Sequence, residues 1–257
     1  MCCFTEPVEH VSDTQIFARA VDGRQLLVYS MAYAAKTPLA MVLPLPVKPG
    51  AGEDALRFIS LEDCPDFFDH LGRGFPRGGA SFGMLSAAEP VVGAATLEVH
   101  KVGAYEASFV PRPEDFARLD ERFRLPADLW LQLNLYRDYG FAVFKLKSTP
   151  KAKVHPMAFD FPRRHLDRLF FPTIHIHRRT VEARARYDHM LYCQPEPAMH
   201  WRLQGWDDSE DVASGFVRCA QAAELLDMHA PCWRVRLDGT RANRDSWLGP
   251  VPDALPS

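Results

Sequence analysis

The chain has no apolar run of the ~20 residues needed to cross a bilayer as a helix. Its apolar runs at 25–35 and 37–47 are too short, and Pro38, Pro44 and Pro46 cut the second. No spanning helix is expected. The start, Met1-Cys2-Cys3-Phe4-Thr5-Glu6-Pro7, has neither the basic n-region nor the apolar h-region of a secretory signal. Charge of one sign is not in excess: 30 Lys and Arg stand against 33 Asp and Glu, a net charge of −3. That balance argues against nucleic-acid binding by phosphate neutralisation. There is no C-x-x-C, so neither a zinc ribbon nor a thioredoxin-type redox motif is expected. Gly72, Gly74, Gly78 and Gly79 form neither G-x-G-x-x-G nor a P-loop, which leaves nucleotide binding without support. No G-x-S-x-G exists, which argues against an α/β-hydrolase. Internal repeats, heptads and charge blocks are missing as well.

Proline is plentiful, with 21 residues. That is above the usual ~5% and points to short strands and many turns. Apolar residues make up 47% of the 257, enough for a core without staples. The six cysteines (Cys2, Cys3, Cys64, Cys193, Cys219, Cys232) are irregularly spaced. With no signal and no membrane span, the expected compartment is the cytoplasm, where all six are reduced thiols. Cys64, Cys219 and Cys232 then read as small buried apolar residues.

Strands are predicted at 14–20, 24–34, 39–45, 94–100, 105–110, 141–147, 154–161, 169–177, 188–194 and 233–237. Val21-Asp22-Gly23 joins the first two as a hairpin. Helices are predicted at 64–71, 113–122, 128–139 and 215–228, and 75–88 reads as a Gly-rich loop. Helices do not alternate with strands. The pattern predicts an α+β fold: mostly antiparallel sheets with a few short helices packed on one side. We expect one domain over 1–248, with a two-lobe boundary at 148–153, and a flexible tail over 249–257.

Two stretches carry a family resemblance. The first, 2–49, has its cysteines at the start, then Ile16-Phe17, then Leu39-Ala40-Met41-Val42-Leu43-Pro44-Leu45-Pro46. In the second, Val102-Gly103-Ala104-Tyr105 opens a strand and two short helices follow. It closes on Tyr136-Arg137-Asp138-Tyr139-Gly140-Phe141-Ala142-Val143-Phe144-Lys145-Leu146. In order and spacing these resemble a bacterial family known as domain of unknown function 2330. Its members show an early Cys cluster, a W-V-L-P-V-P-like strand, and a V-G-x-Y opening with a Y-x-x-x-G-W-x-F ending. The resemblance implies a shared fold and brings no activity with it. Family members carry a secretion signal ahead of the Cys cluster, and this start does not resemble one.

The sharpest chemical feature is Phe170-Phe171-Pro172-Thr173-Ile174-His175-Ile176-His177. In a strand, residues two apart share a face. Ile174 and Ile176 then point to the core, and His175 and His177 point the other way. Two imidazoles on one face offer two neutral nitrogens to a metal ion, copper or zinc. Asp188-His189-Met190-Leu191-Tyr192-Cys193 follows after a turn. As the next antiparallel strand it brings His189, with Cys193 on the same face, toward the His pair. The plain alternative is a half-buried strand with solvated histidines. Cys2 and Cys3 form the second feature. Adjacent thiolates suit soft and borderline ions. A joint site of Cys2, Cys3, His175 and His177, with His189 nearby, closes a tetrahedron, and three ligands leave a position open for substrate.

Two further readings stand beside the metal site. Cys2, exposed by removal of Met1, is a catalytic nucleophile with its own amine as base in an N-terminal-cysteine amide hydrolase. Alternatively the chain is a non-catalytic binding or accessory domain. Its linker 178–186 carries Arg178, Arg179, Arg184 and Arg186 for an acidic partner. The expected partners are a small-molecule or peptide ligand, with no nucleic acid and no membrane. His10 and Glu9 are candidates for supporting such a site. His155 reads as a satisfied half-core residue. Trp201, Trp206 and Trp233 read as core or cleft lining.

Overall fold

The computed structural model describes residues 3–6, 8–75, 99–102, 105–119, 124, 134–153, 155–176 and 181–250. The strands among them are β1 (Cys3–Phe4), β2 (His10–Val21), β3 (Arg24–Ala35), β4 (Leu39–Leu45), β5 (Arg57–Ile59), β6 (His100–Val102), β7 (Tyr105–Val110) and β8 (Gly140–Leu146). They continue with β9 (Thr149–Lys153), β10 (Met157–Pro162), β11 (Leu169–Phe171), β12 (Arg184–Gln194), β13 (Asp207–Val212), β14 (Pro231–Ala242) and β15 (Ser246–Leu248). Asp22 (φ 49°) and Gly23 (φ 76°) both sit in the left-handed region. That pair makes the two-residue turn whose twist matches the strands it joins, so β2 and β3 pair from Val21 and Arg24 outward.

The larger sheet runs β13-β14-β12-β2-β3-β10-β5, with β9 also pairing β3. The smaller runs β1-β4-β8-β7-β6, and β11 pairs with β15. Among the named strands, the pairings are antiparallel except that of β12 with β2. Strand alternation separates the layers. Ile16, Leu27, Tyr29 and Cys193 face the smaller sheet and pack with Met41, Leu43 and Phe144. Phe17, Val28 and Tyr192 point the other way, against α1 (Phe67–Arg73) and α2 (Ala213–Phe216). The outer side of the smaller sheet, with Val42 and Val143, is covered by Tyr136, Ile174 and Ile176. The expected antiparallel sheets and few short helices are therefore present. Strand so predominates that the fold lies nearer the all-β end. No helix of the described residues is long and apolar enough to cross a membrane.

Several sequence expectations need correction. The helix expected at 215–228 is α2 followed by a 3-10 turn at Ala220–Glu224. Val217 and Cys219 between them are extended, and Cys219 forms a disulfide with Cys64 that also replaces two of the expected free thiols. The helix expected at 113–122 is a 3-10 helix, Pro113–Arg118. Of the helix at 128–139, residues 128–133 lie outside the described residues, and Asn134–Tyr136 is a 3-10 turn. The loop at 76–88 and the strand portion at 94–98 also lie outside them. Residues 149–153 form β9, paired with β3. Arg168 Nη1 donates to the Pro250 carbonyl at 2.6 Å, and residues 251–257 of the expected tail lie outside the described residues. Trp201 is not lining: it is 74% exposed and stacks with Arg202.

Asp160 is a buried polar clamp of the larger sheet. Its carboxylate is nearly fully buried on β10 and accepts from Arg24 Nε at 2.6 Å and Arg57 Nε at 2.8 Å. These bonds tie β3, β10 and β5 together. Asp160→Ala is expected to cost about 2 kcal/mol, because both guanidinium groups lose their shared acceptor. Thermal melts check this, with an expected fall of about 4–8 °C.

Candidate functional site

β12 lies between β14 and β2, and its burial alternates. Tyr187, His189, Leu191 and Cys193 point inward. Beside it β2 carries a bulge: the register shifts between Ser12 and Gln15, and Asp13 takes φ 52°. Bulges re-aim side chains and backbone groups. Here the Asp13 amide donates to Asp188 Oδ2 at 2.9 Å.

His175 comes from a segment that leaves β11 after Phe171 and forms no ladder, touching β1 only through the isolated parallel bridge of Ile176 with Cys3. Its backbone partners are side chains from the turn after β14. The Asn243 amide behaves like a peptide group: Oδ1 accepts from the His175 amide at 2.7 Å, and Nδ2 donates to the His175 carbonyl at 2.8 Å. Nδ2 also donates to the Glu182 carbonyl at 2.8 Å. Asp245 Oδ1 accepts the amides of Thr173 and Ile174 at 2.9 and 3.0 Å, and its other oxygen accepts from the Tyr136 hydroxyl. Burial pushes the Asp245 carboxyl above its ordinary pKa.

The result is a cluster of three rings. His175 Nε2 lies 3.3 Å from His189 Nε2, with the ring planes 15° apart. Tyr187 packs on both, its centroid 4.4 Å from His175 and 5.0 Å from His189. Both imidazoles are buried, His189 to 1% exposure. Burial holds the His189 imidazole neutral, well below its ordinary pKa. Two groups of Asp188 flank His189 Nδ1: the amide at 3.4 Å and Oδ1 at 3.5 Å. They imply opposite tautomers. If the amide donates to Nδ1, the ring proton sits on Nε2 and points at His175. If the carboxylate accepts from Nδ1–H, the unprotonated Nε2 of His189 faces Nε2 of His175, the arrangement in which a carboxylate orients a metal-binding histidine.

Over His175 opens a cleft of about 600 Å³, lined also by His10, Arg184, Arg186, Tyr187 and Asp188. His175 and His189 are thus brought together. Cys3 is placed elsewhere: it bridges Ile176 in parallel and joins the apolar cluster of Ile174 and Ile176, on the side of the segment away from the imidazoles. Cys193 is fully buried in the main core, and burial pushes its thiol pKa up. Cys2, His177, Arg178 and Arg179 lie outside the described residues. Among the described residues, no group of three or more His, Cys, Asp or Glu side chains is gathered for a metal. His10 lines the cleft, while Glu9 pairs with Lys36 at 2.8 Å. Tyr187, Asn243 and Asp245 were missed. The available signal was an Asn and an Asp two apart in a polar turn, a pattern that also marks ordinary turns.

No protein-family profile and no curated protein matches the chain. Among solved structures it is similar to the crystal structure of baculovirus P35, with a TM-score of 0.46 and 14% identity over 98% of this chain and 100% of that one. It is also similar to the crystal structure of the caspase-8/P35 complex, with a TM-score of 0.40 and 11% identity over 93% and 96%.

Proposed function

We propose that the chain binds one transition-metal ion, zinc or copper, on the Nε2 atoms of His175 and His189. The spacing of those two buried nitrogens, 3.3 Å, carries the reading. Two Zn–N bonds of about 2.0–2.1 Å meeting at the tetrahedral angle put their nitrogens about 3.3–3.4 Å apart. A direct N–H···N hydrogen bond between the two imidazoles is the competing arrangement at this spacing, and it requires a proton on one of the two Nε2 atoms. A neutral His189 suits an ion as well, because a metal takes an unprotonated nitrogen.

Two imidazoles leave coordination positions to fill. His177 and Cys2 are the further protein donors that the sequence offers. The cleft over His175 gives a small-molecule or peptide ligand access to any position that remains. The cytoplasm belongs to the same proposal. Trapping thiols by alkylation before cell lysis tests it, because a Cys64–Cys219 bond already formed in the cell indicates an oxidising compartment instead.

Chelator-competition titration with zinc and with copper tests the metal site. The expected result is one ion per chain, with His175→Ala and His189→Ala each weakening binding about 100-fold. Sub-stoichiometric metal that is unchanged in the double variant overturns the reading. Asn243→Ala is expected to weaken binding about 10–100-fold with little loss of fold, since Asn243 fixes the backbone of His175 without touching the ion. The same titration checks it.

A further inference from the structure

β14 has two long edges, and one of them is largely open. Along the first it pairs with β12 in unbroken register, from Trp233 opposite Cys193 to Ala242 opposite Arg184. Along the second it meets β13 at Pro231, Trp233 and Arg234, and no further. From 235 to 242 that second edge has no strand beside it among the described residues. At ~3.3 Å per residue the open stretch is about 25 Å long, enough for a strand of ordinary length. Arg236 and residues 238–242 are exposed.

Strand alternation fixes which backbone groups face the gap. The Cys232 amide donates to Ser209 Oγ of β13 at 2.9 Å, so even-numbered residues turn their amides and carbonyls to the second edge. The Asn243 amide donates to the Ala183 carbonyl at 3.0 Å, so odd-numbered residues face β12. Beyond β13 the outward groups are therefore those of Arg236, Asp238, Thr240 and Ala242. Two of the carbonyls already meet side chains: that of Asp238 accepts from Arg241 Nε at 2.9 Å, and that of Thr240 from Arg184 Nη2 at 3.0 Å. Each carbonyl keeps a second lone pair. The outward amides of Arg236, Asp238 and Thr240 have no acceptor among the described residues.

This edge is cationic in a chain of net charge −3. Arg184, Arg236 and Arg241 stand along it against one carboxylate, Asp238, which lies 3.9 Å from both Arg236 and Arg241. Edges of one net sign repel each other, which disfavours a second copy and favours an acidic strand as the occupant.

We infer that the open edge of β14 binds an extended acidic segment of a partner protein as an added strand. The outward amides and carbonyls supply main-chain bonds, and the three arginines select carboxylates on the incoming chain. The inference does not rest on a bound metal.

Amide hydrogen exchange on the full chain tests it, with a blocked heptapeptide of alternating glutamate and valine as the probe. The peptide is expected to slow exchange at the amides of Arg236, Asp238 and Thr240 at least about tenfold, and to leave the β12-facing amides between them unchanged. Its affinity is expected to fall with added salt, and at least about tenfold in an Arg236→Glu, Arg241→Glu double variant. A peptide with glutamine in place of glutamate that binds equally well overturns the acidic partner. No slowing at millimolar peptide overturns the site, and so do outward amides already protected in the free chain. Protection that grows with protein concentration assigns the edge to a second copy instead and overturns the proposal. The exchange measurement is made on the wild type, so it decides the matter whether or not the double variant folds.

Discussion

Reduction of the Cys64–Cys219 bond is expected to lower the melting temperature by about 5–15 °C. The bridge closes a loop across 155 positions. Loop-closure entropy puts its contribution at up to about 5 kcal/mol, and native bridges commonly realise about 2–4 kcal/mol. For a chain of this size each kcal/mol moves Tm by about 2–4 °C. The bridge also acts at a definite place. It joins the start of α1 to the extended stretch after α2, inside the cluster that holds Phe67, Leu71, Phe216 and Leu225. The hydrogen bond from Gln221 Nε2 to Asp63 Oδ2 at 2.7 Å crosses the same seam. Cys64→Ser and Cys219→Ser should each reproduce the effect of reductant, and reductant should then add nothing further. Alkylation mapped to Cys64 and Cys219 themselves in the folded, non-reduced protein would falsify the bridge.

Metal-free protein is expected to lose about 2 kcal/mol of stability between pH 7 and pH 5 through His189 alone. The sign follows from linkage. Burial depresses the folded-state pKa of His189, while the unfolded imidazole keeps its ordinary value of about 6.5. Below that value the unfolded chain binds a proton that the folded chain refuses. Stability is therefore fully present above about pH 7 and falls as the pH drops, by at most about 1.4 kcal/mol per pH unit. His70 and His165 are shifted in the same direction by burial, but both are partly exposed and contribute less. Urea unfolding across this range checks the slope. His189→Gln should flatten it, and an unchanged slope in that variant counts against a buried neutral imidazole.

What could be read from the sequence was local. The Asp22-Gly23 turn announced its hairpin, because only residues tolerant of positive φ make that turn. The strands at 39–45 and 105–110 coincide with β4 and β7, where short apolar-rich runs lie between turn signals. The alternation of Ile174, His175 and Ile176 separated the apolar side from the imidazole side even though the segment is not a ladder strand. It also brought His189 into view as the neighbour. What the residues alone do not show depends on distant partners. The apolar spacing at 215–228 resembles a helix stripe, but the tie of Cys219 to Cys64 holds that stretch extended. The Asn243 and Asp245 clamp acts across some 70 positions, through side chains that stand in for a missing strand. Nothing in a polar turn of that composition points to a segment so far away.

The proton on His189 decides the central claim most directly. Nitrogen NMR of the two imidazoles, before and after one equivalent of zinc, reads which ring nitrogen is protonated. The metal account predicts that zinc shifts the Nε2 resonances of both His175 and His189 to metal-bound values, with both protons on Nδ1. A His189 that keeps its proton on Nε2, pointing at His175 and indifferent to zinc, contradicts it.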